Sequence, residues 1–308
     1  MMSVPSWQKE HIDMAPLTWR ATALDYVSLT KPRIIVLLLV PTLAAMLIAA
    51  RQTTPTQPLL YLIVVTLVGG ALSSGGAGAI NQVMDRDIDE IMQRTRERPI
   101  PGGRITPGHA LAFGLVLSLA AAILLWVAVN PVSAILACSG NLFYVIIYTK
   151  WLKRSTPQNI VIGGAAGAVP PLVGWAAVTG GLSWAAVLLF AIIFCWTPPH
   201  FWALSLYSRE DYRKAGVPML PVVAGREHTC RAILFYTCVL LACTLLLYLT
   251  HAMGMIYLLA SSVLGGWFVV LAYRLMNNHK LARPVFRYSL VYLALLYGAM
   301  VIDRLLPM

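Results

Sequence analysis

In the run NQVMDRDID, Asn81, Asp85 and Asp89 recur at intervals of four residues. On a helix this spacing lines the three up as one stripe and turns Asp87 to the other side. Two carboxylates and an amide oxygen on one face repel one another unless a cation lies between them, and such oxygen ligands select a hard divalent ion such as Mg2+. Arg94, Arg96, Arg98 and Arg104 follow within a few turns. They suit a ligand carrying more negative charge than the acids could balance. Magnesium bridges phosphate oxygens and guanidinium groups grip them bidentately, so the combination reads as a clamp for a diphosphate. A lone aspartate at a helix end is ordinarily a solvated boundary residue, and it is the stripe with its following arginines that departs from that reading.

The elements that must position this clamp are unusually apolar. Of the 308 residues, 59% are hydrophobic and 11% charged, with a mean hydropathy of +0.74, which excludes a soluble globular domain and marks an integral membrane protein. Apolar stretches near the ~20 residues needed to cross a bilayer recur at 34–50, 58–80, 109–129, 132–149, 159–178, 183–205, 232–250, 252–273 and 286–303. Nine transmembrane helices in one all-α bundle are therefore expected. The connections at 130–131 and 179–182 are so short that the helices they join must be antiparallel neighbours.

With the N-terminus in the cytoplasm, the arm 1–33 and the segments 81–108, 150–158, 206–231 and 274–287 share one membrane face. They hold 21 of the 23 lysines and arginines, leaving Arg51 and Arg304 on the other face. The positive-inside rule then places the C-terminus opposite the N-terminus and the acid stripe toward the cytoplasm. The net charge of +11 describes that one surface, and nothing in it calls for a nucleic acid partner. Eight of the 12 acids also lie there, in the loops after spans 2 and 6. The first 33 residues carry Glu10, Asp13 and Asp25 and show neither a signal peptide nor a transit peptide, which fits a bacterial cell membrane. The five cysteines form no CxxC pair and read as small buried apolar residues. Pro170-Pro171 and Pro198-Pro199 should kink spans 5 and 6, while the small-residue runs at 75–79 and 163–168 permit close helix approach.

A diphosphate held beside lipid-filled volume suggests a substrate with a greasy tail. If the tail is joined through an allylic carbon, metal and cations stabilise the departing diphosphate, and the allylic cation is captured by an electron-rich acceptor. The residues thus point to prenyl transfer, with bulk water excluded by the bundle.

The segment NQVMDRDIDEIMQRTRERPIPGG resembles the first aspartate-rich motif of the UbiA superfamily of intramembrane prenyltransferases. Asn81, Asp85 and Asp89 match its magnesium diphosphate ligands position for position. The segments LTKPRI at 29–34, YTKWLKRSTPQNIVIGGAAGAVPPLVGW at 148–175 and WTPPHFWALSLYSREDYRKAGVPMLPVV at 196–223 are similar to the branch of that superfamily that makes heme O. The resemblance covers nearly the whole chain. It implies a single bundle of nine helices around a central cavity open to the membrane, a UbiA-type transmembrane domain over 34–308 behind a cytoplasmic arm 1–33. The implied activity joins the farnesyl group of farnesyl diphosphate, with addition of water, to a vinyl group of heme b. Mg2+ would be the cofactor and heme b a substrate, in the pathway to heme A and terminal oxidases, with a heme A synthase as a candidate partner. An alternative acceptor is a quinone-precursor aromatic ring, against which WTPPHFW and DYRKAGVPMLPV argue. A transporter would carry its acids deep within broken helices in repeated halves, whereas here they gather at one face.

The second motif departs from the wider superfamily. Two carboxylates commonly form a metal-binding pair there, whereas YSREDYRKAG offers the adjacent Glu210 and Asp211, which diverge by ~100° on a helix. Asp211 is the candidate fourth ligand. Arg94 and Arg98 match family positions and are expected on diphosphate. Lys31, Arg33, Lys150, Lys153, Arg154 and Lys214 are candidates for diphosphate or heme propionate, with topology and anionic lipid as their plain alternative. His200, among Trp196, Phe201 and Trp202, could approach heme iron or position the attacking water, or simply bond a carbonyl freed by the prolines. Asn141, Tyr144, Tyr148 and Asn159 are candidates to line the cavity, and polar helix packing would explain them equally well.

Overall fold

A computed structural model describes residues 19–55 and 57–305. The first 18 residues, which include Glu10, Asp13 and much of the expected arm, lie outside the described residues. A short helix α1 (Trp19–Leu29) is followed by α2 (Pro32–Ala49), α3 (Leu59–Met84), the single-turn α4 (Arg86–Ile91), α5 (Pro107–Ala128), α6 (Pro131–Ser155), α7 (Asn159–Thr179), α8 (Trp184–Tyr207), α9 (Arg209–Lys214), α10 (Gly225–Leu249), α11 (Met255–Asn277) and α12 (Ala282–Leu305). Nine of these are long and apolar enough to cross a membrane, and no strand occurs among the described residues. The helix starts follow local chemistry. Thr106 accepts the His109 amide at 3.3 Å, Asn130 the Ser133 amide at 2.9 Å and Ser183 the Ala186 amide at 3.4 Å, and Pro32, Pro107 and Pro131 stand in first turns where no donor is lost.

Spans adjacent in sequence pack on one another, α2 also packs on α7 and α8 on α12, and α12 returns to α2, closing the bundle. Spans α7 and α8 are the most enclosed. The outward faces of the others carry exposed residues such as Val64, Leu119, Ile123, Phe235 and Val263, the surface a helix offers to lipid. A Cβ on Gly76 would come 2.6 Å from the Gly114 carbonyl oxygen, and one on Gly114 would come 2.9 Å from that of Gly76. Spans α3 and α5 therefore meet backbone to backbone, the close approach expected of the small-residue run.

The expected break at Pro170-Pro171 falls at Val169, between Asn159–Ala168 and Pro170–Thr179. Span α8, by contrast, remains one helix through Pro198 and Pro199, and there the Thr197 hydroxyl donates to the Ile193 carbonyl at 2.8 Å. Span α10 begins seven residues before the apolar stretch at 232–250, and its first turns carry Arg226, Glu227, His228 and Arg231. All five cysteines are free. Cys195 and Cys230 are buried, while Cys238 is exposed.

Candidate active site

Helix α3 ends at Met84, Asp85 sits at the junction, and Asp89 belongs to α4. The stripe survives this break because the four-residue bonds continue through it: Asp85 N to Asn81 O at 2.9 Å and Asp89 N to Asp85 O at 2.8 Å. Asn81, Asp85 and Asp89 are 3%, 1% and 2% exposed, too enclosed for solvated boundary residues. Cations from three other segments meet them. Lys31 Nζ donates to Asn81 Oδ1, Lys153 Nζ to Asp85 Oδ2, and Arg98 to Asp89 Oδ2 at 2.6 Å. Asn81 Nδ2 donates in turn to Asp85 Oδ2 at 2.8 Å and to Thr149 Oγ1 at 3.0 Å. Asp85 Oδ1 is buried and has no hydrogen-bond partner, with the Arg154 guanidinium 3.9 Å away. A buried carboxylate oxygen without a donor is costly in a folded protein and is the form a cation ligand takes.

The local backbone explains how the cations reach the stripe. Lys31 adopts a left-handed conformation (φ 58°) immediately before Pro32, a strained turn for a side chain. Its loop is docked on α3 by Gln82 Nε2, which donates to the Leu29 carbonyl at 2.9 Å. Gly78 permits the approach, since a Cβ there would already lie 3.2 Å from the Thr30 carbonyl oxygen. Burial, with Arg98 and Lys153 nearby, pulls Lys31 down to about 7. In α6, residues Phe143–Leu152 form wide turns of π type, with Thr149 Oγ1 donating to the Tyr144 carbonyl at 2.8 Å. Such turns shift the register of everything after them, and here they bring Thr149 and Lys153 to α3.

Asp87 turns away from the stripe, as the spacing predicts, and takes a bidentate pair of 2.7 Å bonds from Arg154. Those bonds hold its carboxyl down at about 2. Arg154 also donates to the Met84 carbonyl at 2.8 Å, so it braces the α3–α4 junction. Arg104 pairs with Asp25 on α1 at 3.0 Å and donates to the Glu97 carbonyl, a role in anchoring the loop. Arg94 is exposed, and its charge acts on the nearby buried Tyr212 of α9. Arg33, Arg96, Lys150 and Lys214 are exposed.

Asp211 stands apart. Among the described residues no three His, Cys, Asp or Glu side chains converge closely enough to hold an ion, so Asp211 does not join Asp85 and Asp89. The geometry of α9 supplies the reason: Tyr212 is the residue turned inward, and its neighbour points elsewhere by about 100°. Glu210 pairs on the surface with Arg213 at 2.6 Å.

His200 is 8% exposed and packs on α12. Its ring stacks on Trp196 at 4.3 Å and lies 4.7 Å from Phe286, and Nδ1 is 2.7 Å from Ser289 Oγ. The Ser289 hydroxyl already donates to the Phe286 carbonyl at 2.7 Å. The neutral tautomer that satisfies both groups carries its proton on His200 Nδ1 and leaves Nε2 as an acceptor. The partner is a serine on α12 rather than a carbonyl freed by the prolines. Asn141 donates to the Ser73 carbonyl and the Ser118 hydroxyl, both at 3.0 Å, a helix-packing role. Tyr144 and Tyr148 stack at 5.5 Å. Thr149 carried no signal in the sequence, because its place depends on the wide turns.

The model of the UbiA prenyltransferase family matches residues 38–296. The chain belongs to that family. Among its UbiA relatives, a Protoheme IX farnesyltransferase of Gloeobacter violaceus is 57% identical over 91% of this chain and 92% of its own, and one of Symbiobacterium thermophilum is 53% identical over 91% and 93%. Among solved structures, a digeranylgeranylglyceryl phosphate synthase aligns with a TM-score of 0.76 at 19% identity over 92% of this chain and 98% of that one. A UbiA homologue from Archaeoglobus fulgidus bound to DMAPP and Mg2+ aligns at 0.62 and 17% identity over 90% and 99%. These likenesses establish the UbiA fold, and the chain is a multi-pass membrane prenyltransferase.

Proposed function

We propose that this prenyltransferase transfers the farnesyl group of farnesyl diphosphate, with addition of water, to a vinyl group of heme b, forming heme O and releasing diphosphate. The observation that carries the proposal is the buried Asn81, Asp85 and Asp89 stripe with Lys31, Lys153 and Arg98 converged on it, in a chain more than half identical to relatives named Protoheme IX farnesyltransferase. With Lys31 protonated, as a bound diphosphate would favour, two carboxylates face three cations, a balance of one positive charge. A divalent ion would raise it to three, matching the roughly three negative charges of a diphosphate monoester near neutral pH.

The unpartnered Asp85 Oδ1 and the hard oxygen donors fit Mg2+, which Asn81, Asp85 and Asp89 would hold. When bound it neutralises the leaving diphosphate. Lys31, Lys153 and Arg98 turn to the diphosphate oxygens and stabilise the charge that develops as the allylic C–O bond breaks. Arg94, beside Tyr212, extends the same basic surface, and Asp211 belongs to the α9 segment rather than to the ligand set. The terminal vinyl carbon forms the new C–C bond, the porphyrin spreads the resulting positive charge, and water adds at the carbon next to the ring with loss of a proton. His200, with Nε2 free as an acceptor, is the candidate to face heme iron or take that proton. Enclosing α7 and α8 keeps bulk water from the cation.

Residues 34–308 serve as the catalytic domain and 1–33 as a cytoplasmic arm in a bacterial inner membrane, with the active site on the cytoplasmic side. A heme A synthase is the expected consumer of the product. A quinone-precursor acceptor finds no support among the relatives.

The test is purified protein in detergent with heme b, farnesyl diphosphate and Mg2+, followed by mass spectrometry of the extracted heme. A product heavier by one farnesyl group and one water, abolished by chelator, is the expected result. Prenylation of a quinone precursor without any heme product would overturn the choice of acceptor.

A further inference from the structure

Among the described lysines and arginines, only Arg51 and Arg304 lie at the end of the bundle away from the acid stripe. Alternation of the nine spans brings the end of α2, the start of α3 and the end of α12 together there. Both arginines line one cavity of about 210 Å3, completed by Leu47, Ala50, Leu59 and Val301. They are close enough for each charge to act on the other, an arrangement that is unfavourable unless an anion lies between them.

Asp303 acts on Arg304 in the favourable sense, and more strongly than Arg51 does in the unfavourable one, but it does not line the cavity between the two arginines. Asp303 is adjacent, but its carboxylate accepts the Gly254 amide and, at 3.1 Å, the Tyr257 amide, and so caps the start of α11. It makes no ion pair with either arginine. Arg304 is 8% exposed; its Nε is buried without a partner, and a terminal nitrogen donates only weakly, at 3.4 Å, to the His251 carbonyl. Arg51, on the same cavity, is exposed. A guanidinium enclosed with a donor to spare, set in aliphatic walls beside a second guanidinium, is built for an anion that carries a hydrocarbon tail.

We infer that Arg51 and Arg304 form a headgroup site for an anionic phospholipid at the membrane face opposite the active site. The phosphate lies between the two guanidinium groups and an acyl chain runs against Leu47, Leu59 and Val301. Inorganic phosphate shares the anion chemistry and lacks the tail, so the two sources can be told apart.

The experiment is native mass spectrometry of the delipidated full-length protein titrated with phosphatidylglycerol, for the wild type, R51Q and R304Q. The wild type should retain one tightly held lipid, each variant should bind it roughly tenfold more weakly, as loss of a charge-assisted contact predicts, and inorganic phosphate should fail to displace it. R51Q alters an exposed side chain and keeps the test decisive even where R304Q does not fold. Equal retention by the wild type and R51Q, or displacement by inorganic phosphate at the lipid's own concentration, would overturn the assignment.

Discussion

Replacing Asp85 with Asn isolates the charge of the carboxylate from its size. The amide keeps an oxygen for the Asn81 Nδ2 bond at 2.8 Å and leaves the backbone through the α3–α4 junction unchanged. What disappears is one negative charge at a site 1% exposed, including the oxygen that no protein donor satisfies. At an effective dielectric of about 20, a unit charge pair about 4 Å apart is worth about 4 kcal/mol. At about 1.4 kcal/mol per tenfold, that is roughly a thousandfold in magnesium affinity or turnover. Lys153 loses its partner as well, at a cost in stability of about 3 kcal/mol, the lower end for breaking a buried pair because its side chain is 13% exposed. The assay is heme O formation across a magnesium titration, with thermal unfolding measured alongside. Turnover above a third of the wild type at matched magnesium, in a folded variant, would refute the clamp.

Gly78→Val should cost roughly 1 to 3 kcal/mol of stability and lower turnover further, because its side chain would push the Leu29–Thr30 carbonyls and with them Lys31 off α3; thermal unfolding and product formation measure the two effects. Ser289→Ala should leave the His200 Nδ1–H unsatisfied, weakening heme binding more than farnesyl diphosphate binding, and titration of each substrate separates them. Lys214→Ala alters an exposed side chain, so product formation should stay within about twofold of wild type; a larger loss would return Lys214 to the substrate site.

Much of this was legible in the sequence because it depends on short-range spacing. The nine spans follow from apolar runs, and the stripe of Asn81, Asp85 and Asp89 follows from their interval of four. The opposite turn of Asp87 follows from the same periodicity. Partner choice among the cations did not follow, because it is set by backbone that departs from regular helix. Lys31 reaches Asn81 from a left-handed turn, Lys153 reaches Asp85 through wide turns in α6, and neither conformation has a periodic signature. Arg104, one of the four arginines that follow the stripe, is held by Asp25 fully 79 residues away. The Ser289 partner of His200 lies 89 residues away and was equally beyond reach of local pattern.

The lysines and arginine resting on the carboxylate stripe have a thermodynamic consequence. A divalent ion arriving alone must displace Lys31 and Lys153 from oxygens they already satisfy, and an anion arriving alone must draw the same cations away from Asp85 and Asp89. Each arrival removes the obstacle to the other, so the two bind with positive cooperativity that is equal in both directions. On the proposed clamp, metal and diphosphate enter as a pair and leave as a pair, and the site without them, its carboxylates already paired with Lys153 and Arg98, has little affinity for stray metal.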